Sequence, residues 1–445
     1  MARKPPQPGR RPGAKTPAAP GPTLPPRRPA RPDAEAQPPI HIRGTAGGVP
    51  FTASVRFESV TVGLEGPGTS RTVAACDRAG RLYSFWRDGH TYRRGLGGRV
   101  LHKWQDEAGR HWDWPDPAGA DAVVNGAAAA FERVHDAVKT TRCRWTPEPE
   151  HMRRIETWAA LLMGARFTAQ AARADAERFA RVYFPVGILP PDQYLSLVVQ
   201  ATRGCSFTAC TFCDLYHEPY HVRSAFEFDQ HVEQVRAYIG TSMRLRRRSI
   251  FLGAANALAV PIGRLYNLFD VLERQLDAKR RGVYAFVDGF TGRLKTEGDY
   301  RGLAKRGLRR VYVGLESGHD PLLRFVHKPG DRDAAVATVR AVKAAGLQAG
   351  VIVMIGLGGD RFAEGHVADT VAAVNAMGLG AGDLLYFSDL VEIPGTTYPR
   401  HAAADGIRSL TPAERLAQRR AIRAGLTFSA VPPKIATYDI REFVY

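Results

Sequence analysis

Apolar and polar residues along this chain fall into successive regimes. Residues 1–39 are rich in Pro, Arg and Ala and almost devoid of large apolar side chains. Such a segment cannot offset its ordering entropy, so a disordered basic tail is expected there. Over residues 40–116 apolar and polar positions alternate in short runs, such as Phe51–Phe57 and Leu82–Trp86, between turn signals. Asp88-Gly89 separates Leu82–Trp86 from His90–Tyr92, a strong hairpin signal. Trp86, Trp104, Trp112 and Trp114 supply bulk for a small core. A small β-rich meander is expected. Over 117–185 the period becomes helical, with Ala-rich stretches Ala120–Lys139 and Glu150–Arg178 and a break around Arg142–Pro149. Tyr183-Phe184-Pro185 and Pro190-Pro191 then mark a boundary.

From 186 to 400 short apolar runs and helical patterns alternate. Expected strands are Leu195–Ala201, Ser249–Leu252, Val283–Val287, Val311–Leu315, Ala349–Ile355 and Leu384–Val391. Between them lie expected helices Phe226–Met243, Pro261–Leu276, Gly298–Arg306, Asp331–Ala345 and Ala363–Met377. Six strands alternating with helices predict an α/β fold, a partial (β/α)6 TIM-like barrel with right-handed crossovers. Sites in such folds lie at the carboxyl ends of the strands. Residues 401–445 are expected to add a helix and an aromatic cap ending Phe443-Val444-Tyr445, placed to lid the barrel mouth.

Composition narrows the class. The 445 residues are ordinary in hydrophobic and charged content for a soluble protein. No apolar run approaches the roughly 18 residues of a membrane span, and the basic N-terminus lacks the apolar stretch of a secretory signal. A cytoplasmic protein is expected. The net charge of +18 includes +6 from residues 1–39, where eight Arg/Lys face Asp33 and Glu35. Much of the remainder is Arg and Lys near expected helix ends, including Arg244, Arg246–Arg248 and Lys279–Arg281, where cations complement the helix dipole. A solvated basic surface and a polyanionic partner such as nucleic acid both fit this distribution.

The five cysteines are Cys76, Cys143, Cys205, Cys210 and Cys213. An odd number with three crowded into residues 205–213 is not a disulfide framework and points to a metal or cluster site. The crowded segment reads Ala-Thr-Arg-Gly-Cys205-Ser-Phe-Thr-Ala-Cys210-Thr-Phe-Cys213 and directly follows the first expected barrel strand. Three thiolates on one loop can ligate three irons of a [4Fe–4S] cluster, leaving the fourth open. The same cysteines with His217 also make a Cys3His set suited to structural zinc.

A cysteine triplet after the first strand of a (β/α)6 barrel resembles the signature of the radical S-adenosylmethionine (SAM) superfamily. Further segments share the resemblance: Phe251–Leu258, Val313-Gly-Leu-Glu316-Ser317-Gly318, and Pro394-Gly395-Thr396. It covers about residues 195–400 and looks closest to the oxygen-independent coproporphyrinogen oxidase-like and elongator-like branch. The family's spacing is commonly C-x3-C-x2-C, whereas this chain has C-x4-C-x2-C. After the second strand this chain has Gly253-Ala254-Ala255-Asn256, without the carboxylate common there.

The resemblance implies a [4Fe–4S] cluster on Cys205, Cys210 and Cys213 and SAM on the open iron. It also implies reductive cleavage to a 5′-deoxyadenosyl radical, a substrate the sequence does not name, and a low-potential electron donor of flavodoxin or ferredoxin type. It places Phe212 and Gly356 near the adenine, Gly253–Asn256 near the methionyl group, and Lys328 on the carboxylate, while the carboxylate and hydroxyl of Glu316 and Ser317 suit the ribose hydroxyls or a cation. Glu316 and Asp288, at strand ends, are also candidates to face the substrate. With only Cys76 and Cys143 left over, a second cluster is not expected. Iron and sulfide with 5′-deoxyadenosine formation separate this enzyme from a zinc- or cluster-stapled nucleic-acid-binding or electron-transfer protein.

Overall fold

The computed structural model describes residues 38–66, 70–216, 218–290, 294–393, 395–429 and 431–445. The expected disorder of the tail therefore falls almost wholly outside the described residues, as do His217 and Pro394.

The alternating region forms an antiparallel meander. Its strands are β1 (Ile40–Ala46), β2 (Val49–Val55), β3 (Ser59–Leu64), β4 (Thr72–Asp77), β5 (Leu82–Arg87), β6 (His90–Arg94), β7 (Val100–Asp106) and β8 (Gly109–Asp113). The β5–β6 hairpin turns at Asp88 and Gly89, both at positive φ, which is the two-residue turn that matches strand twist. Helix α1 (Pro117–Thr140) starts at Asp116, whose side chain caps the Gly119 N–H, and Pro117 occupies its first turn. Its apolar stripe, including Val124, Phe131 and Val134, is buried with Ile42, Val60 and Phe85 of the sheet. A short strand, β9 (Arg144–Thr146), returns to pair with β1 and makes a ninth member of the sheet. It was not legible as a strand because three residues carry no periodicity.

The helical stretch expected over 150–178 forms two helices, α2 (His151–Ala165) and α3 (Ala169–Val182). Thr168 caps the Ala171 N–H, and Asn125 of α1 accepts from the Ala169 N–H, so side chains from both sides stabilise the new start. Gly164 lets α2 approach α1 closely; a Cβ there would lie 2.7 Å from the Phe131 ring.

The second sheet is entirely parallel. It contains β10 (Leu197–Gln200), β13 (Ile250–Gly253), β14 (Val283–Val287), β15 (Leu308–Glu316), β16 (Gln348–Ile355), β17 (Leu384–Asp389) and β18 (Lys434–Tyr438), in that order. A two-stranded ribbon, β11 (Thr202–Arg203) with β12 (His221–Val222), stands between its first two strands in sequence. Around it lie α4 (Ala225–Ile239), α5 (Ile262–Leu276), α6 (Ala278–Arg281), α7 (Glu297–Lys305), α8 (Asp320–Phe325), α9 (Arg332–Ala344), α10 (Ala363–Ala376), α11 (Tyr398–Ala404) and α12 (Pro412–Gly425). Ser224–Glu227, Thr296–Asp299 and Thr411–Glu414 form capping boxes that fix the starts of α4, α7 and α12. The partial barrel is as expected, with one strand more than the six anticipated. β18 pairs parallel with β17 through Ser388↔Tyr438, so this part of residues 401–445 belongs to the sheet.

The last residues do not lid the mouth. The Tyr445 hydroxyl accepts from the Val198 N–H at 3.0 Å and donates to the Ser196 carbonyl at 3.2 Å, at the start of β10. Phe443 packs against Tyr194 with ring centroids 5.3 Å apart. The segment after β18 therefore binds the amino-end side of the barrel, because its aromatic rings find apolar burial there.

A buried charge cluster joins the two sheets. Asp175 of α3 is fully buried and is met by Arg81 at 2.8 Å and Arg94 at 3.6 Å. Arg81 also donates to the carbonyls of Tyr238 and Ile239 at the carboxyl end of α4 and to Ser242 Oγ just beyond it. Removing either partner strands a buried charge, so the cluster fixes how the meander meets the barrel.

Candidate active site

The cysteine loop leaves the carboxyl end of β10 and is closed at its base by the β11–β12 ribbon. Gly204 begins it at φ +67, where a Cβ would lie 2.1 Å from the Glu218 carbonyl; only glycine fits this turn. All five cysteines are free thiols. Cys205 and Cys210 are half-buried, and burial pushes both thiols up, Cys210 to about 12. Cys213 is exposed as a residue, yet packing around its thiol and the neighbouring Cys205 and Glu316 raise it likewise. The three thiols thus lie within electrostatic reach of one another. Among the described residues no three His, Cys, Asp or Glu side chains close round a single metal ion. Cys76 and Cys143 lie apart, in β4 and just before β9.

Three tethers hold this loop. The Asn256 amide donates to Ser206 Oγ at 2.9 Å and to the Asp288 carboxylate, while its Oδ1 accepts from the Asp288 N–H at 2.9 Å. Asp288 also accepts from Ser206 Oγ at 3.4 Å and from the Phe290 N–H at 3.2 Å. Phe207 meets Phe290 edge-on at 6.0 Å. The ends of β13 and β14 are thereby fastened beside Cys205. Further along, the Thr211 N–H donates to the Val326 carbonyl at 3.0 Å, and the Thr211 carbonyl accepts from the Tyr398 N–H at 3.0 Å. Phe212 packs against the apolar cluster of Leu322, Leu357 and Tyr398.

Glu316 ends β15 at φ +57, following a break in register with β16. Its carboxylate folds back over Gly314, where a Cβ would lie 2.4 Å from it. Lys328 Nζ stands 3.6 Å from Glu316 Oε1, and both side chains are largely buried. Burial raises the Glu316 carboxyl, with Lys328 opposing. Burial works against the Lys328 ammonium, but Glu316, Cys210, Asp288 and Cys213 together hold it above its ordinary value. One cation therefore faces the whole cysteine loop.

Other expected site residues are placed differently. Ser317 is fully buried with its hydroxyl engaged by the His319 N–H at 3.0 Å and by His366 Nδ1 at 2.8 Å. It ties β15 to α10 and has no exposed face. Gly356 sits at φ +85, its N–H donates to Gln418 at 2.8 Å, and a Cβ would meet Arg415 at 3.0 Å. It allows α12 to approach the end of β16. Gly253 has ordinary clearance for a Cβ, the Ala254 N–H donates to Thr202 Oγ1 at 3.0 Å, and Ala255 is half-buried. The carboxylate expected to face substrate, Asp288, is a member of the tether described above. Thr202, Ser206 and Thr211 were not singled out from sequence. Their only signal was nearness to the cysteines, and their partners are remote in the chain.

Residues 199–371 match the family model of the Radical SAM superfamily. Over those residues the chain is similar to the radical SAM superfamily. The family's cofactors are a [4Fe–4S] cluster and SAM, and the three-thiol loop with an adjoining buried cation fits that pair. No curated protein matches the sequence. Among solved structures, coproporphyrinogen III oxidase (HemN) from Escherichia coli is 17% identical over 56% of this chain and 54% of its own, with a TM-score of 0.38. The radical S-adenosylmethionine methyltransferase TsrM from Kitasatospora setae, with cobalamin and a [4Fe-4S] cluster bound, is 18% identical over 47% of this chain and 40% of its own, with a TM-score of 0.35. Elp3 from Methanocaldococcus infernus is 12% identical over 55% of this chain and 60% of its own, with a TM-score of 0.36. The chain spans about half of the length of the first of these and less of the second. Among the described residues, no helix is long and apolar enough to cross a membrane.

Proposed function

We propose that this chain is a one-cluster radical SAM enzyme acting on a substrate still to be identified, with Cys205, Cys210 and Cys213 as the cluster ligands. The observation that carries this reading is the cysteine loop at the carboxyl end of β10, facing the Lys328–Glu316 pair within the matched domain. When bound, the cluster supplies the electron that cleaves SAM to 5′-deoxyadenosyl and methionine.

The chain's own residues do the positioning. Lys328 offers an ammonium to the SAM carboxylate, a charge-assisted partner in a largely buried setting. Glu316, already turned inward, accepts from ribose hydroxyls. Asn256, Asp288 and Ser206 hold the Cys205 arm, and Thr211 holds the Cys210 arm, so the thiols keep their spacing without reorganisation. Phe212 and the turn at Gly356 offer an apolar wall for the adenine. The deeply packed barrel beneath, with Phe251 and Tyr312 buried, excludes water from below. The segments Phe251–Leu258 and Val313–Gly318 favour the oxygen-independent coproporphyrinogen oxidase-like and elongator-like branch, and a flavodoxin or ferredoxin type of donor is the expected reductant.

The test is anaerobic reconstitution followed by iron and sulfide assay and chromatography for 5′-deoxyadenosine after reduction with dithionite. Wild type should hold a cluster and form 5′-deoxyadenosine; Cys210→Ala and Cys213→Ala should do neither, and Cys143→Ala should match wild type. A colourless zinc protein, or no 5′-deoxyadenosine above the Cys213→Ala control, would overturn the proposal.

A further inference from the structure

The end of the barrel opposite the cysteine loop is also concave. β10 and β13 run from one end to the other. Ser196 and Ser249, just before them, border a cavity of about 620 Å3, while Asn256 and the cysteines follow their far ends. The cavity lies between the amino ends of these strands, the β5–β6 region of the meander, the loop 244–249 and the last residues of the chain.

Six arginines line it: Arg93, Arg94, Arg244, Arg246, Arg247 and Arg248. Three carboxylates share the wall, and two are committed elsewhere. Asp192 accepts from Arg310 at 2.7 Å and from the hydroxyls of Tyr312 and Tyr386 at 2.6 and 2.9 Å. Glu442 is held by Lys103 and Arg110. The third is Glu58, which has no ion pair among the described residues. Arg94 is engaged by Asp175, and Arg246 donates to the Ser196 carbonyl at 3.0 Å. Among the described residues Arg93, Arg244 and Arg248 have neither a carboxylate nor a hydrogen-bond acceptor.

The loop is built to keep these cations together. Arg281 donates to the carbonyls of Arg247 and Arg246 at 3.0 and 3.1 Å, so a further cation pins the backbone. Arg244 and Arg247 stand over the same ring, Phe57, at 4.7 and 5.1 Å. Like charges fixed this closely repel unless an anion joins them. Guanidinium groups pair with phosphate in a two-bond fork, and a pre-set loop loses little entropy on binding. The cavity volume falls within the roughly 300–1,000 Å3 typical of small-molecule sites.

We propose that this cleft is a binding site for a small phosphorylated ligand, held by Arg93, Arg244 and Arg248 with Tyr83 and Tyr194 beside its organic part. The site is separate from the radical chemistry, and its test does not depend on it. Calorimetry on the full reconstituted chain at about 0.15 M ionic strength would use inorganic pyrophosphate, ribose 5-phosphate and guanosine monophosphate as probes. A short single-stranded RNA is titrated in parallel. At least one small probe should bind saturably to a single site. Arg244→Ala, Arg248→Ala and Arg93→Gln should each weaken it by about tenfold or more, the loss expected for one charge-assisted contact. Arg420→Ala, an equal charge loss on exposed α12, and Cys210→Ala should leave it unchanged. Preference for pyrophosphate would assign the site to the phosphate groups alone, and preference for an organic phosphate would add the tyrosine wall. Absence of saturable binding by every small probe, binding indifferent to the three cleft variants, or binding of RNA alone would overturn the proposal.

Discussion

Lys328 Nζ lies 3.6 Å from the Glu316 carboxylate, although one follows α8 and the other ends β15. The pair forms because the Glu316 backbone turns at positive φ and returns its side chain over Gly314, where a Cβ would push the carboxylate aside. Two opposite charges are thus kept largely out of water at the edge of the cysteine loop.

Lys328→Ala leaves the Glu316 carboxylate buried without its partner and removes the cation offered to SAM. Losing a charge-assisted hydrogen bond costs about 1.5–3 kcal/mol. Equilibrium binding of SAM to the reconstituted protein should weaken by roughly ten- to a hundredfold, with iron content unchanged. Unaltered affinity would make the pair structural only.

Asn256→Ala cuts the contacts to Ser206 and Asp288 at once. The Cys205 arm then loses its fastening to β13 and β14. The cluster should assemble but surrender iron to a chelator several times faster than wild type, as followed by anaerobic absorbance. Asn256→Asp should be worse, since it sets a like charge against Asp288. Wild-type rates in both variants would dismiss the tether.

His231 makes stability pH-dependent. Its ring is buried, Nε2 accepts from the Gln200 N–H at 3.0 Å, and burial, then Arg223, lower its pKa from 6.5 to about 3. Between those values the unfolded chain binds the extra proton. The histidine's contribution is therefore complete above 6.5 and is lost as pH falls, at about 1.4 kcal/mol per unit. His366, lowered to about 4 chiefly by burial, adds a second share over a narrower window. Urea unfolding at about pH 7 and about pH 5 should show the loss, and His231→Gln should remove its part of the slope. An unchanged slope would mean that the buried ring is not neutral.

Tyr445→Phe leaves the Val198 N–H, inside the first barrel strand, without its acceptor. A buried donor left unpaired costs about 1–3 kcal/mol. Chemical denaturation should report that loss, while 5′-deoxyadenosine formation at ambient temperature should persist, because the residue sits at the end away from the cysteines. A variant of full stability but high uncoupled SAM cleavage would restore this segment as a lid.

The sequence by itself determined the succession of elements. Alternation of period two gave the meander, and apolar runs alternating with amphipathic stretches gave the parallel sheet and its helices, because both periodicities are local properties of the chain. The Asp88-Gly89 turn and the cysteine triplet were legible for the same reason: their meaning lies in adjacent residues. Tertiary structure alone decided the rest. Ser317 adjoins Glu316 in sequence, yet its hydroxyl is consumed by His366 and His319, since the strand end turns it into the helix layer. Asp288 looked open to substrate until Asn256 and Ser206 closed on it from two other segments. Short β9 joined its sheet through a neighbour about a hundred residues away in the chain, and β18 through one about fifty away, as pairing needs only an edge with unmet hydrogen bonds. The six arginines of the basic cleft arise from the meander and from one loop of the barrel. No pattern along the chain announces them, because their shared surface exists only once the Asp175 cluster has drawn the two sheets together.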